Sequence, residues 1–133
     1  MAGYSGTPLD RKLGIKAGMA VAILSAPTGY TKTLQLPRGA RYVRTLKGPL
    51  DLVQFFTKSR AELVANLPAL IEALRPSGAL WVSWPKKASK VLTDITEDVI
   101  RDVALPLGVV DVKVCAVDDT WSGLKLVRRL ENR

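Results

Sequence analysis

The chain has 133 residues, 47% of them hydrophobic, enough for one domain with a buried core and too few for two. It has one cysteine, Cys115, and no histidine, which excludes an internal disulfide, the usual zinc-ligand clusters and any nucleophile paired with histidine. The formal net charge of +8 points to an anionic partner, and the surplus is uneven: residues 1–50 carry eight Lys or Arg against Asp10 alone, whereas residues 51–133 are nearly balanced.

We read residues 1–133 as a single cytoplasmic domain. The first residues, MAGYSGTPLDRK, carry no leader pattern, and no later apolar run nears the ~18 residues that a membrane span needs. Thr7-Pro8 reads as an N-cap followed by proline at the first helical position, and Gly14 is placed to end that short helix. Met19 to Leu24 is a nearly unbroken apolar run, as in a parallel strand covered on both faces. The loop Ser25-Ala26-Pro27-Thr28-Gly29-Tyr30 follows, then a second strand at about Ala40 to Thr45 and a third at Asp51 to Phe56.

Ser59-Arg60-Ala61-Glu62 has capping-box spacing, in which the Ser oxygen and the Glu carboxylate each satisfy an orphan backbone donor. Leu63, Leu67, Leu70, Ile71 and Leu74 mark one helical face, which Pro68 should bend or interrupt. Pro76-Ser77-Gly78 turns the chain into a fourth strand, Ala79 to Trp84. Thr96 opens another helix with Val99, Ile100, Val103 and Leu107 facing inward, ended by Gly108. Strands at about Val110 to Val117 and Leu124 to Leu130, joined by so short a connection, form an antiparallel hairpin. Alternating strands and helices imply an α/β fold with a mostly parallel sheet.

Two segments carry a resemblance. Leu13-Gly14-Ile15-Lys16-Ala17-Gly18-Met19, leading into an apolar strand and a Gly-containing loop, resembles the approach to the first strand of class I methyltransferases, and Leu74 to Trp81 (LRPSGALW) resembles a later turn and strand of that family. The resemblance implies a three-layer Rossmann-like domain with a six-stranded sheet in the order 2-1-3-4-6-5, the last strand antiparallel, with one helix-strand unit missing after the second strand. The segments GYSGTPL, WPKKAS, TDITEDV, DVKVCAVD and TWSGLKLV are similar to an uncharacterised bacterial family, domain of unknown function 3052.

That methyltransferase family binds S-adenosylmethionine through a Gly-rich loop after the first strand and an acid at the end of the second. Here the loop has no G-x-G and the second strand ends Arg44-Thr45-Leu46-Lys47, so the expectation is no cofactor, S-adenosylmethionine being the one considered. Ligands of open α/β sheets bind beyond the carboxyl ends of the strands. The topology brings there Tyr4, Ser5, Thr7, Ser25, Lys58, Trp84, Lys86, Lys87 and Trp121, our ligand-binding candidates, with Lys32, Lys47, Arg60 and Lys90 completing a basic rim.

A small phosphate-bearing anion is the sharp reading of that rim. The plainer one, which we prefer, is lysines in exposed loops, with Asp118 and Asp119 neutralising Lys86 and Lys87. For Trp84 and Trp121 the choice is base stacking or packing, and packing is preferred. Cys115 reads as a buried inert thiol. The leading functional expectation is a binding or regulatory domain without catalytic residues. The alternatives are an unusual methyltransferase or another enzyme on the same crevice, with Tyr4, Asp118 or Lys86 handling protons, and a nucleic-acid-binding protein using the basic N-terminal third.

Overall fold

The computed structural model describes residues 7–133. Tyr4 and Ser5 lie outside the described residues. The first helix, α1 (Leu9–Leu13), has Pro8 as its N-cap, one residue later than expected, and no side-chain cap bond; it stops at Gly14, whose φ of +82° is a left-handed turn that glycine adopts without a steric penalty. Strand β1 (Ala20–Leu24) follows. Strand β2 (Arg41–Tyr42) is only two residues long, because it is a sheet edge whose flanking Arg44 and Thr45 are exposed and have nothing to be buried against.

Strand β3 (Leu50–Phe56) leads into helix α2 (Arg60–Glu72). Ser59 caps α2 by accepting from the Glu62 N–H at 3.2 Å, but the other half of the expected box is absent: the Ser59 N–H donates to Thr57 Oγ1 at 3.2 Å. The Glu62 carboxylate is thereby left outside the cap. The helix continues through Pro68, which is exposed, while Leu63, Leu67, Leu70 and Ile71 are buried as the spacing predicts.

Strand β4 (Leu74–Pro85) is longer than expected, because the Pro76-Ser77-Gly78 turn is absorbed as an irregularity within it. Leu50 pairs with Leu74, and Leu52 already pairs with Ala79. Gly78 permits this, since a Cβ there would stand 3.0 Å from the Leu50 carbonyl oxygen and 3.1 Å from those of Arg75 and Asp51. Helix α3 (Glu97–Ala104) starts at Thr96, whose side chain accepts from the Val99 N–H. Leu105–Leu107, with Pro106 inside, tightens into a 3-10 turn that leaves Leu107 39% exposed rather than inward. Strands β5 (Val109–Ala116) and β6 (Trp121–Arg128) form the antiparallel hairpin, with Trp121 as the first residue of β6 rather than part of the turn.

The six strands form one sheet in the order β2-β1-β3-β4-β6-β5, with β6 antiparallel to both neighbours. One core lies on the α2 and α3 face and holds Val53, Phe55, Leu80, Val82, Leu124 and Leu126. The other lies on the α1 face, where Leu52, Phe56 and Trp81 meet Leu13, Tyr30 and Leu34. The Trp81 indole N–H donates to the Leu13 carbonyl at 2.8 Å, fixing α1 to the sheet. No helix among the described residues is long and apolar enough to cross a membrane.

Candidate functional site

Strand β1 has β2 on one side and β3 on the other, both parallel to it, so the strand order reverses at β1 and a crevice opens between the carboxyl ends of β1 and β3. A pocket of about 460 Å³ occupies that place, lined by Ser25 and Pro27 after β1, Phe56, Thr57, Lys58 and Ser59 after β3, Glu62 of α2, and Trp121. That size suits a small organic ligand.

Ser25 directly follows β1 and has φ of +59°, a left-handed conformation rarely held by a side-chain-bearing residue. Such strain persists where surrounding structure imposes it, and it gathers at ligand sites. Behind the crevice wall, Phe56 stands edge-to-face with Trp121 (centroids 5.0 Å apart) and with Tyr30 (4.7 Å). The Tyr30 hydroxyl donates to Gln54 Oε1 at 2.8 Å, and Gln54 Nε2 donates to Ser83 Oγ at 3.1 Å. All three residues are buried, so this chain ties the β1 loop to β3 and β4. Burial holds the Tyr30 phenol well above its ordinary pKa of 10.0, with the Gln54 hydrogen bond opposing the shift.

The β3–α2 turn is held from its other side. Thr93 Oγ1 donates to the Lys58 carbonyl at 2.7 Å, and Asp94 accepts the Arg60 N–H at 2.7 Å. Beyond the crevice, at the ends of β1 and β2, Ile23, Leu24, Thr31, Tyr42, Val43 and Arg44 surround a second hollow of about 350 Å³.

Of the sequence-predicted residues, Ser25, Lys58 and Trp121 line the same pocket. Trp84 does not: it is 7% exposed in the core facing α2 and α3. Lys86 and Lys87 lie just past β4; the Lys86 N–H donates to the Thr120 carbonyl at 2.8 Å beside Trp121, and Lys87 is exposed. Thr7 is exposed ahead of α1. The ion pairs among the described residues include none between Asp118 and Lys86 or Lys87; Asp118 Oδ1 instead accepts the Thr120 and Trp121 N–H groups, both at 2.8 Å, and caps the hairpin turn. Sequence reasoning missed Glu62 and the buried Tyr30–Gln54–Ser83 chain. The available signal was Gln54, a polar residue inside the apolar run DLVQFF.

No family model matches the chain, and no curated protein matches it. Solved structures do. The ribosomal protein L11 methylase of Lactobacillus delbrueckii subsp. bulgaricus is similar with a TM-score of 0.58 at 13% identity, over 91% of this chain and 75% of that one. A SAM-dependent methyltransferase of Aquifex aeolicus is similar with a TM-score of 0.58 at 12% identity, over 87% and 85%. The magnesium protoporphyrin IX methyltransferase of Synechocystis, with bound S-adenosylhomocysteine, is similar with a TM-score of 0.58 at 13% identity, over 85% and 75%. The chain has a methyltransferase-like fold. The expectation of no cofactor is overturned, since solved structures of this fold hold S-adenosylhomocysteine or S-adenosylmethionine. That expectation rested on the missing glycines and on the missing acid after the second strand; of the two, the first-strand loop makes a left-handed turn at Ser25 without a glycine there.

Proposed function

We propose that this chain is a small S-adenosylmethionine-dependent methyltransferase whose cofactor lies in the crevice between the ends of β1 and β3. The observation that carries the reading is Ser25, held left-handed at the end of β1 on the wall of that pocket. Its conformation turns the β1 loop sharply at the place where the fold needs close backbone approach. The residues present fit such a group. Trp121, backed by Phe56, offers aromatic surface to a base, Glu62 offers a carboxylate free of its helix cap to hydroxyls or an ammonium group, and Lys58 offers a cation to a carboxylate. When bound, S-adenosylmethionine supplies an electrophilic methyl group. The protein's part is then positioning and water exclusion, and with no histidine in the chain any proton removal falls to Asp, Glu, Lys or Tyr. Lys58, Lys86 and Lys87 near the opening favour an anionic acceptor. The five segments resembling the bacterial domain of unknown function lead us to infer kinship with that family.

Calorimetric titration of the chain with S-adenosylmethionine and S-adenosylhomocysteine tests the reading. We expect binding to both, weakened about tenfold or more by Trp121→Ala. No heat and no thermal stabilisation at millimolar concentration would overturn it. A second reading, a regulatory domain for an anionic nucleotide, draws on Arg44, which lines the β2 hollow where the methyltransferase resemblance implies an acid. Stabilisation by nucleoside phosphates without response to either adenosyl compound would favour it.

A further inference from the structure

The α1 face of the hairpin carries a second feature, independent of the crevice. Lys113 of β5 and Lys125 of β6 stand directly opposite each other in the antiparallel register. They share the face of Trp81, because Trp81 pairs with Lys125 and its indole bonds Leu13 of α1. Lys125 Nζ lies over the end of α1, 3.8 Å from where a Cβ on Gly14 would be. Lys16 follows two residues later. Like charges directly opposite on paired strands oppose folding. Nevertheless the ion pairs among the described residues all belong to Arg75 or Arg101, and none answers Lys16, Lys113 or Lys125.

The electrostatics agree with that placement. Lys125 is half-buried and its pKa is lowered, first by desolvation and then by Lys113 and Lys16, with no carboxylate among the charges acting on it. The neighbouring Cys115 thiol is raised by burial, an effect opposed by Lys12 and Lys113, so Lys12 belongs to the same field. The basic surface continues beyond Lys16, where the Gly18 N–H donates to the Arg38 carbonyl and brings Arg38 to the same end of the sheet. Lys16, Lys113 and Lys125, held by paired strands and a helix end with no ion pair among the described residues, are arranged to receive an anion carrying several charges a few ångströms apart.

We propose that Lys16, Lys113 and Lys125, with Lys12 beside them, form a binding site for a run of phosphate groups on the α1 face of the hairpin. Such a run occurs in a free oligophosphate and in the backbone of a nucleic acid strand. The ligand replaces lysine–lysine repulsion with charge-assisted hydrogen bonds, so affinity falls as salt rises.

The test is titration of the chain with sodium tripolyphosphate and with a single-stranded oligoribonucleotide, each over a series of salt concentrations. The expected result is salt-sensitive binding of at least one probe, weakened about threefold by Lys113→Gln and about tenfold or more by Lys113→Gln with Lys125→Gln. Arg133→Gln, which removes one positive charge elsewhere, is the control for net charge. Preference for tripolyphosphate identifies a free oligophosphate as the source, and preference for the oligonucleotide identifies a strand. Without either probe, the double variant should melt no lower than the parent chain, since it relieves a like-charge pair. Absence of binding to both probes, unchanged affinity in the double variant, or a loss no greater than that of Arg133→Gln would overturn the proposal.

Discussion

Replacing Tyr30 by phenylalanine tests whether the polar chain under the crevice is a structural tie. The substitution keeps the ring, and with it the edge-to-face contact to Phe56 at 4.7 Å. What it removes is the hydroxyl that donates to Gln54 Oε1 at 2.8 Å. Gln54 is 0% exposed, so its oxygen is left without that donor and out of reach of bulk water. Stranding a buried acceptor in this way costs about 1–3 kcal/mol, more than the ~1 kcal/mol net value of an average hydrogen bond. Urea unfolding at neutral pH should show that loss as a lower midpoint with an unchanged slope.

Adding Gln54→Leu to Tyr30→Phe should cost less than the sum of the two single changes, because each single change strands the other's partner. Additive losses, or a Tyr30→Phe chain as stable as the parent, would refute the reasoning. The phenol also sets a pH dependence. Burial raises its folded pKa above the ordinary 10.0, so its contribution is complete below about pH 10 and is lost as pH rises from there toward the folded value, where the unfolded chain alone releases the proton. Tyr30→Phe should flatten the fall of stability with pH in that alkaline window.

Two further substitutions test the scaffold around the site. Gly123→Ala would place a Cβ 3.1 Å from Trp81 Cε3 and 3.4 Å from Val117 Cγ2; the overpacking should cost about 1–3 kcal/mol in urea unfolding. Thr96→Ala removes the side chain that accepts the Val99 N–H at the start of α3 and should lower stability by about 0.5–2 kcal/mol, while Thr96→Ser should leave it nearly unchanged.

The strands were legible because they announce themselves as apolar runs of the right length with Gly, Pro, Ser or Asp in the turns between them, and the sheet order followed from the methyltransferase resemblance. What escaped was set by contacts distant in sequence. Pro76-Ser77-Gly78 reads as a turn, yet Gly78 lets it lie against the Leu50 carbonyl and extend β4 back to Leu74. Trp84 stands beside Pro85 and two lysines and counts among the ligand candidates, but the packing role preferred for it is the one it has, since the alternation of β4 points it into the core facing α2 and α3. In the crevice, Ser25, Lys58 and Trp121 were legible as strand-end residues. The strain at Ser25 was not, because nothing in Leu24-Ser25-Ala26-Pro27 requires a positive φ until the tertiary structure imposes one. Glu62 was hidden for a related reason: its spacing from Ser59 fits a capping box, and only the Thr57 side chain, reaching the Ser59 N–H first, releases it.

The charge balance shows how a sequence count conceals a surface. Residues 51–133 look nearly neutral, but several of their carboxylates are committed to local work. Asp51 accepts from the Ala20 N–H and pairs with Arg75. Asp94 caps the start of α2 at Arg60, Asp118 caps the hairpin turn, and Glu97, Asp98 and Asp111 all converge on Arg101. These acids are held where they cannot answer Lys113 or Lys125, nor Lys16 from the N-terminal third. The basic character of the folded chain therefore extends well beyond its first 50 residues. It divides between the strand-end loops, with Lys58 on the crevice wall and Lys86 and Lys87 just past β4, and the lysine face of the hairpin on α1, and these two surfaces can be charged or discharged independently by substitution.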